Sequence, residues 1–161
     1  MLTLISESMA REGMKFVFEG PDEVCATCKL RFTCLSSLEK GRVYEITAVK
    51  KTKHFCPRED GYLVLVEIAE PKLTFALSSR RAIAGMTVEY HSPCDRAFCQ
   101  HYDECVAVGL SEGEKAVILA VKGPVDCPST PQSASLRCAA FRDRPGQAFA
   151  GRGTHSVCGP A

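Results

Sequence analysis

The chain has 161 residues, 45% hydrophobic and 24% charged, with a formal net charge of +1. That length fits one domain or two small ones, and the balance is that of an ordinary soluble protein. It excludes a global electrostatic pull towards nucleic acid or anionic membrane, and the lack of tryptophan leaves few large stacking surfaces.

The opening segment, MLTLISESMAREGMKF, carries Glu7, Arg11 and Glu12 after a short apolar start, so it has no signal-peptide core and points to the cytoplasm. Alternating or short apolar runs flanked by Gly and Pro predict strands over 2–5, 15–18, 42–49, 62–69, 72–77, 86–90 and 115–121. A last strand is expected at 136–141. Segments 6–13 and 78–85 begin with Ser and end in Gly, which predicts a short helix or turn. A helical turn beginning at the third cysteine of each loop is expected from CLSSLEKG. No run is long enough to span a bilayer.

Comparing the chain with itself reveals two copies of one pattern. GMKFVFEGP (13–21) matches GMTVEYHSP (85–93), and LEKGRVYEITAV (38–49) matches LSEGEKAVILAV (110–121), both at an offset of 72. Cys25, Cys28 and Cys34 precede a Cys-Pro at Cys56; Cys94, Cys99 and Cys105 precede a Cys-Pro at Cys127. The step from third to fourth cysteine is 22 residues in both copies. The expected fold is a β-rich α+β protein of two pseudo-repeated small β units, 1–71 and 72–141, each with a four-cysteine metal-binding loop set. A disordered basic tail is expected over 142–161. Units this small have marginal cores, and a metal site in each would act as a staple.

In a cytosolic chain such a cysteine framework points to metal or redox chemistry more than to disulfides. Four thiolates suit zinc or an iron–sulfur cluster. Three clustered cysteines with a remote Cys-Pro are closer to iron–sulfur practice than two tight C-x2-C knuckles would be. The triplet also resembles cluster loops of certain DNA-repair glycosylases and CRISPR-associated nucleases. By repeat symmetry Cys25, Cys28, Cys34 and Cys56 bind one centre, and Cys94, Cys99, Cys105 and Cys127 the other; exchange of Cys56 and Cys127 is the alternative. Lys29, Arg31, Lys50, Lys51, Lys53 and Arg96 are positioned to offset the thiolate charge, or simply form a solvated surface. His54 reads as a plain surface histidine, with tuning of a centre by hydrogen bonding as the alternative. Cys138 and Cys158 break the repeat and read as a buried structural thiol and a tail thiol.

The L-T-L-I start, the G-P before C-x2-C-x5-C, the L-x-x-G-x-x-Y-x-I stretch, the C-P and the second cysteine set resemble an uncharacterised archaeal family, number 0179 of its series. The resemblance covers about residues 1–128 and implies two cysteine clusters that serve as iron–sulfur redox centres, with no activity attached. The expectation is therefore two [4Fe-4S] clusters used for electron transfer or redox sensing, with an unidentified protein or redox partner and no membrane. The alternative is two Zn2+ ions stapling a module that binds nucleic acid or a ribonucleoprotein. No Ser-His-Asp order, P-loop or HExxH occurs, so nothing in the chain requires an enzyme.

Overall fold

The computed structural model describes residues 1–125, 127 and 135–143. The tail expected over 142–161, like Cys158 and His155, falls outside the described residues apart from its first two positions.

Four strands form the first sheet: β1 (Leu2–Ser6), β2 (Lys15–Val17), β3 (Val43–Cys56) and β4 (Gly61–Ala69). Four form the second: β5 (Leu73–Ser78), β6 (Thr87–Glu89), β7 (Lys115–Pro124) and β8 (Ser135–Arg142). Both are antiparallel, with orders β1-β4-β3-β2 and β5-β8-β7-β6. Each sheet thus places its first strand beside its fourth, and its third between fourth and second. Among the described residues, helix is confined to a 3₁₀ turn at Glu23–Thr27, α1 (Arg31–Leu35) and α2 (Tyr102–Cys105). No helix among the described residues is long and apolar enough to cross a membrane.

All eight expected strands are present, because alternation puts one face of each strand in a core. In β3, Tyr44 and Ile46 are buried; in β4, Val66 and Ile68 oppose them with Ile5 of β1. In the second sheet Phe75, Leu77, Val88, Ile118 and Ala140 share a core with Tyr90 and Cys138. Cys138 is fully buried on β8, the structural position expected of it, and burial pushes its thiol pKa up. The two clusters are separate, so each sheet has its own core.

The two sheets share more than strand order. Register shifts occur at Ile46/Ala48 and Val49/Lys53 in β3, and at Ile118/Ala120 and Val121/Gly123 in β7. Each pair of bulges begins at positions 72 residues apart, and bulges are specified features of a sheet. Backbone bonds recur in the same way: Gly13 N–H donates to Ile46 and Gly85 N–H to Ile118, while Ile46 donates to Met14 and Ile118 to Met86.

The structure refines three expectations in detail. Strand β3 runs on to Cys56, well past residue 49. Its KKTKHF stretch has no apolar alternation, but the bulge carries it into a ladder with β4, and the Phe55 and Tyr62 rings meet edge to face with centroids 6.0 Å apart. Segments 6–13 and 78–85 are turns and bends, since each joins two strands without a face to bury. The helical turns end at the third cysteine: Cys34 lies in the last turn of α1, and Cys105 is the last residue of α2.

The first sheet ends at Ala69 and the second begins at Leu73. Between them runs a polar seam. Arg42 forms a bidentate pair with Glu114 and donates to the Gly109 carbonyl at 2.7 Å. Arg142 reaches Glu39 at 2.7 Å, Glu70 at 3.1 Å and Glu114 at 3.7 Å. Burial raises the Glu114 pKa, but the Arg42 hydrogen bond and the Ser111 backbone N–H outweigh it and leave it below its ordinary 4.5. A depressed carboxyl contributes stability above the unfolded value and loses it as pH falls through the folded one. The melting temperature is therefore expected to fall below about pH 4.5. In Glu114→Gln, melting curves between pH 5 and pH 3 should show a shallower fall from a lower starting point; an unchanged slope would remove Glu114 from the acid response.

Candidate metal centres

The first cysteine set is assembled from three local devices. Asp22 caps the 3₁₀ turn by accepting from Glu23 N–H at 2.7 Å, which positions Cys25. Cys28 follows, its N–H donating to the Cys25 carbonyl at 3.3 Å. Cys34 sits on α1, which is pinned to β1 by Thr3: this fully buried hydroxyl donates to the Cys34 carbonyl at 2.8 Å. Cys56 closes β3, just before a turn in which Asp60 takes a positive φ of 45°.

These four thiols are electrostatic neighbours. Burial, then Cys28, Cys56 and Cys25 in that order, push the Cys34 pKa up to about 11. The Cys34 thiol therefore stays protonated at neutral pH unless a cation balances its charge.

The second set has the same composition and a clearer enclosure. Cys94 and Cys99 precede α2, Cys105 ends it, and Cys127 follows β7. Cys105 is buried against Ala76 of β5 and Val125, with Cys127 packed on the same cluster. All four thiols line one pocket of about 260 Å3 together with Arg96 and His101. The Cys105 pKa is raised by burial, then by Cys127, Cys94, Cys99 and Glu104. Arg96 N–H donates to Cys94 Sγ at 3.4 Å.

Each fourth cysteine thus lies near a thiol of the triplet of its own sheet, Cys56 by Cys34 and Cys127 by Cys105. The nine described cysteines are free thiols. Among the described residues, no three His, Cys, Asp or Glu side chains converge tightly enough to hold one ion as they stand.

Lys50 pairs with Glu67 at 2.6 Å and Lys53 pairs with Glu7, so part of the basic 50–53 stretch is already neutralised. His54 pairs in the ladder with Leu63, whereas His101 lines the second pocket. His91 lies between Glu89 at 3.6 Å and Glu112 at 3.8 Å. Sequence reasoning passed over Thr3, although its counterpart in LTFAL was visible. It also passed over Phe32 and Phe98, which sit beside the two cysteine sets at 83% and 106% exposure. Rings that protrude this far bury nothing in their own fold.

The comparisons agree with the sequence pattern. The model of the Uncharacterised protein family UPF0179 matches residues 1–138. A UPF0179 protein of Thermococcus onnurineus is 38% identical over 128 residues, covering 79% of this chain and 85% of its own. Relatives of the same description from Pyrococcus abyssi and Methanocaldococcus jannaschii are 34% and 35% identical, covering 79% of this chain and 89% and 85% of their own. No solved structure matches the chain. A family match over most of the chain, with archaeal relatives aligned across most of their lengths, makes this chain a member of UPF0179.

Proposed function

We propose that the chain is an internally duplicated protein holding two [4Fe-4S] clusters, one on Cys25, Cys28, Cys34 and Cys56 and one on Cys94, Cys99, Cys105 and Cys127, and that it serves electron transfer or redox sensing. The observation that carries the reading is the sorting of eight thiols into two neighbouring sets of four, one to each sheet. Shared strand order and bulges repeated at an interval of 72 support the duplication.

When bound, such clusters supply one-electron chemistry. The chain's own residues set the conditions. The thiols bind once deprotonated, releasing protons to the solvent. Thr3 holds the α1 carbonyl at Cys34 and so fixes one ligand to the sheet. The Arg96 N–H at Cys94 Sγ favours added negative charge at that sulfur. Loop charge acts on the whole centre: Lys29 and Arg31 balance Asp22 and Glu23 at the first set, while Asp95, Asp103 and Glu104 outnumber Arg96 and Arg137 at the second, where Arg137 pairs with Glu104 at 3.1 Å. Negative surroundings disfavour the reduced state, so the second centre has the lower potential. The exposed Phe32 and Phe98 give an electron-exchange partner an apolar contact beside each centre. A cytoplasmic setting belongs to the same reading.

Protein purified without oxygen is expected to contain iron and sulfide, to absorb broadly in the visible, and to reduce in two steps. In Cys99→Ser the step at lower potential should vanish. A colourless protein with two zinc ions and no redox signal would replace this reading with the zinc-stapled binding module. Partial neutralisation of the 50–53 lysines already counts against that module as a nucleic-acid binder.

A further inference from the structure

Two contacts in the seam join residues separated by the same interval as the repeat. Arg42 meets Glu114 and Glu70 meets Arg142, each pair 72 positions apart. In the alignment of LEKGRVYEITAV with LSEGEKAVILAV, Arg42 also falls opposite Glu114. When two like units associate about a twofold axis, only residues near that axis meet their own counterparts. Two such meetings, in one continuous network, locate the axis of the seam.

The charges there are not alike. The first unit contributes Arg42 and Glu70, and the second contributes Glu114 and Arg142 in the matching places. We propose that these two pairs mark a pseudo-twofold axis between the units, and that their opposite charges make each unit selective for the other. The proposal rests on the duplication reading and not on the metal. Pairing of two first units would set Arg42 against Arg42 and Glu70 against Glu70, and pairing of two second units would set Glu114 and Arg142 against themselves. Only attractions within a unit would then remain.

Burial gives this arrangement its force. The Arg42 and Arg142 side chains are only 13% and 11% exposed, and those of Glu114 and Glu70 23% and 21%. A mispaired charge at that depth is not rescued by solvent, so like-charge contact discriminates strongly against the wrong partner. Sheet order and backbone bonds are shared by the two units, so these side chains are what tells one unit from the other at the axis.

The test is a charge exchange in the full-length protein. Arg42→Glu sets two carboxylates against each other, and Glu114→Arg two guanidinium groups. Each is expected to lower the melting temperature by about 10 °C and to speed trypsin cleavage after Lys72, in the short connection between the sheets. The double variant R42E/E114R should recover at least half of the lost melting temperature and the slow cleavage. If Arg42→Glu does not accumulate, soluble double variant supports the proposal, and failure of the double overturns it. A double variant no more stable than the weaker single, or an Arg42→Glu protein that melts like the parent, also overturns it. Metal content measured on the same samples separates a defect of the seam from a defect of the centres.

Discussion

Replacing Cys28 or Cys99 with serine is expected to lower the melting temperature by about 10–20 °C and to abolish metal binding in the affected unit. The magnitude follows from the small cores. The first sheet's buried cluster is Ile5, Tyr44, Ile46, Val66 and Ile68. That is a small core for such a unit, whose chain entropy opposes folding along its whole length. Metal binding to a site absent from the unfolded chain is folding free energy, and losing about 5 kcal/mol of it shifts a chain of this length by that amount. Cys138→Ala is the contrast. It removes a small apolar group from the second core, so it should cost some stability while metal content stays whole. Full metal content in Cys28→Ser would refute the ligand assignment.

Gly109→Ala should cost about 3 kcal/mol, or about 6–12 °C. Gly109 has φ +95°, a region L side chains rarely adopt. A Cβ there would also lie 2.9 Å from Val43 Cγ2 and 3.1 Å from Val43 N, across the seam. The Gly109 carbonyl accepts from Arg42, so the backbone cannot simply retreat. Gly85→Ala isolates the clash. Its φ is +84°, but nothing lies within 4 Å of the added carbon. Melting curves should show Gly85→Ala losing markedly less; equal losses would mean that strain alone explains Gly109.

The strands were legible because their burial is local and periodic. GYLVLVEIA announces its inward face through Val64, Val66 and Ile68. The far half of β3 was not, because Lys53, His54 and Phe55 owe their strand state to pairing with β4 and not to a core of their own. The grouping of the cysteines followed from spacing, but the pinning of α1 by Thr3 did not. A threonine in a strand is unremarkable until the carbonyl it meets is known. The seam lay in the repeat alignment all along. Arg42 opposite Glu114 looked like a substitution between copies, and only the fold turns that column into a contact.

The separate cores have a consequence for how the molecule comes apart. Two apolar clusters joined by charged side chains do not melt as one cooperative block. Calorimetry should resolve two overlapping heat-absorption peaks, each moving with the occupancy of its own thiol set. Scarcity of metal would then produce a mixture: fully loaded chains, two distinguishable half-loaded forms, and empty chains. Each half-loaded form would present one ordered and one loosened face to proteases. Steady-state abundance would decline by degrees with supply, as a dial does, with no single threshold.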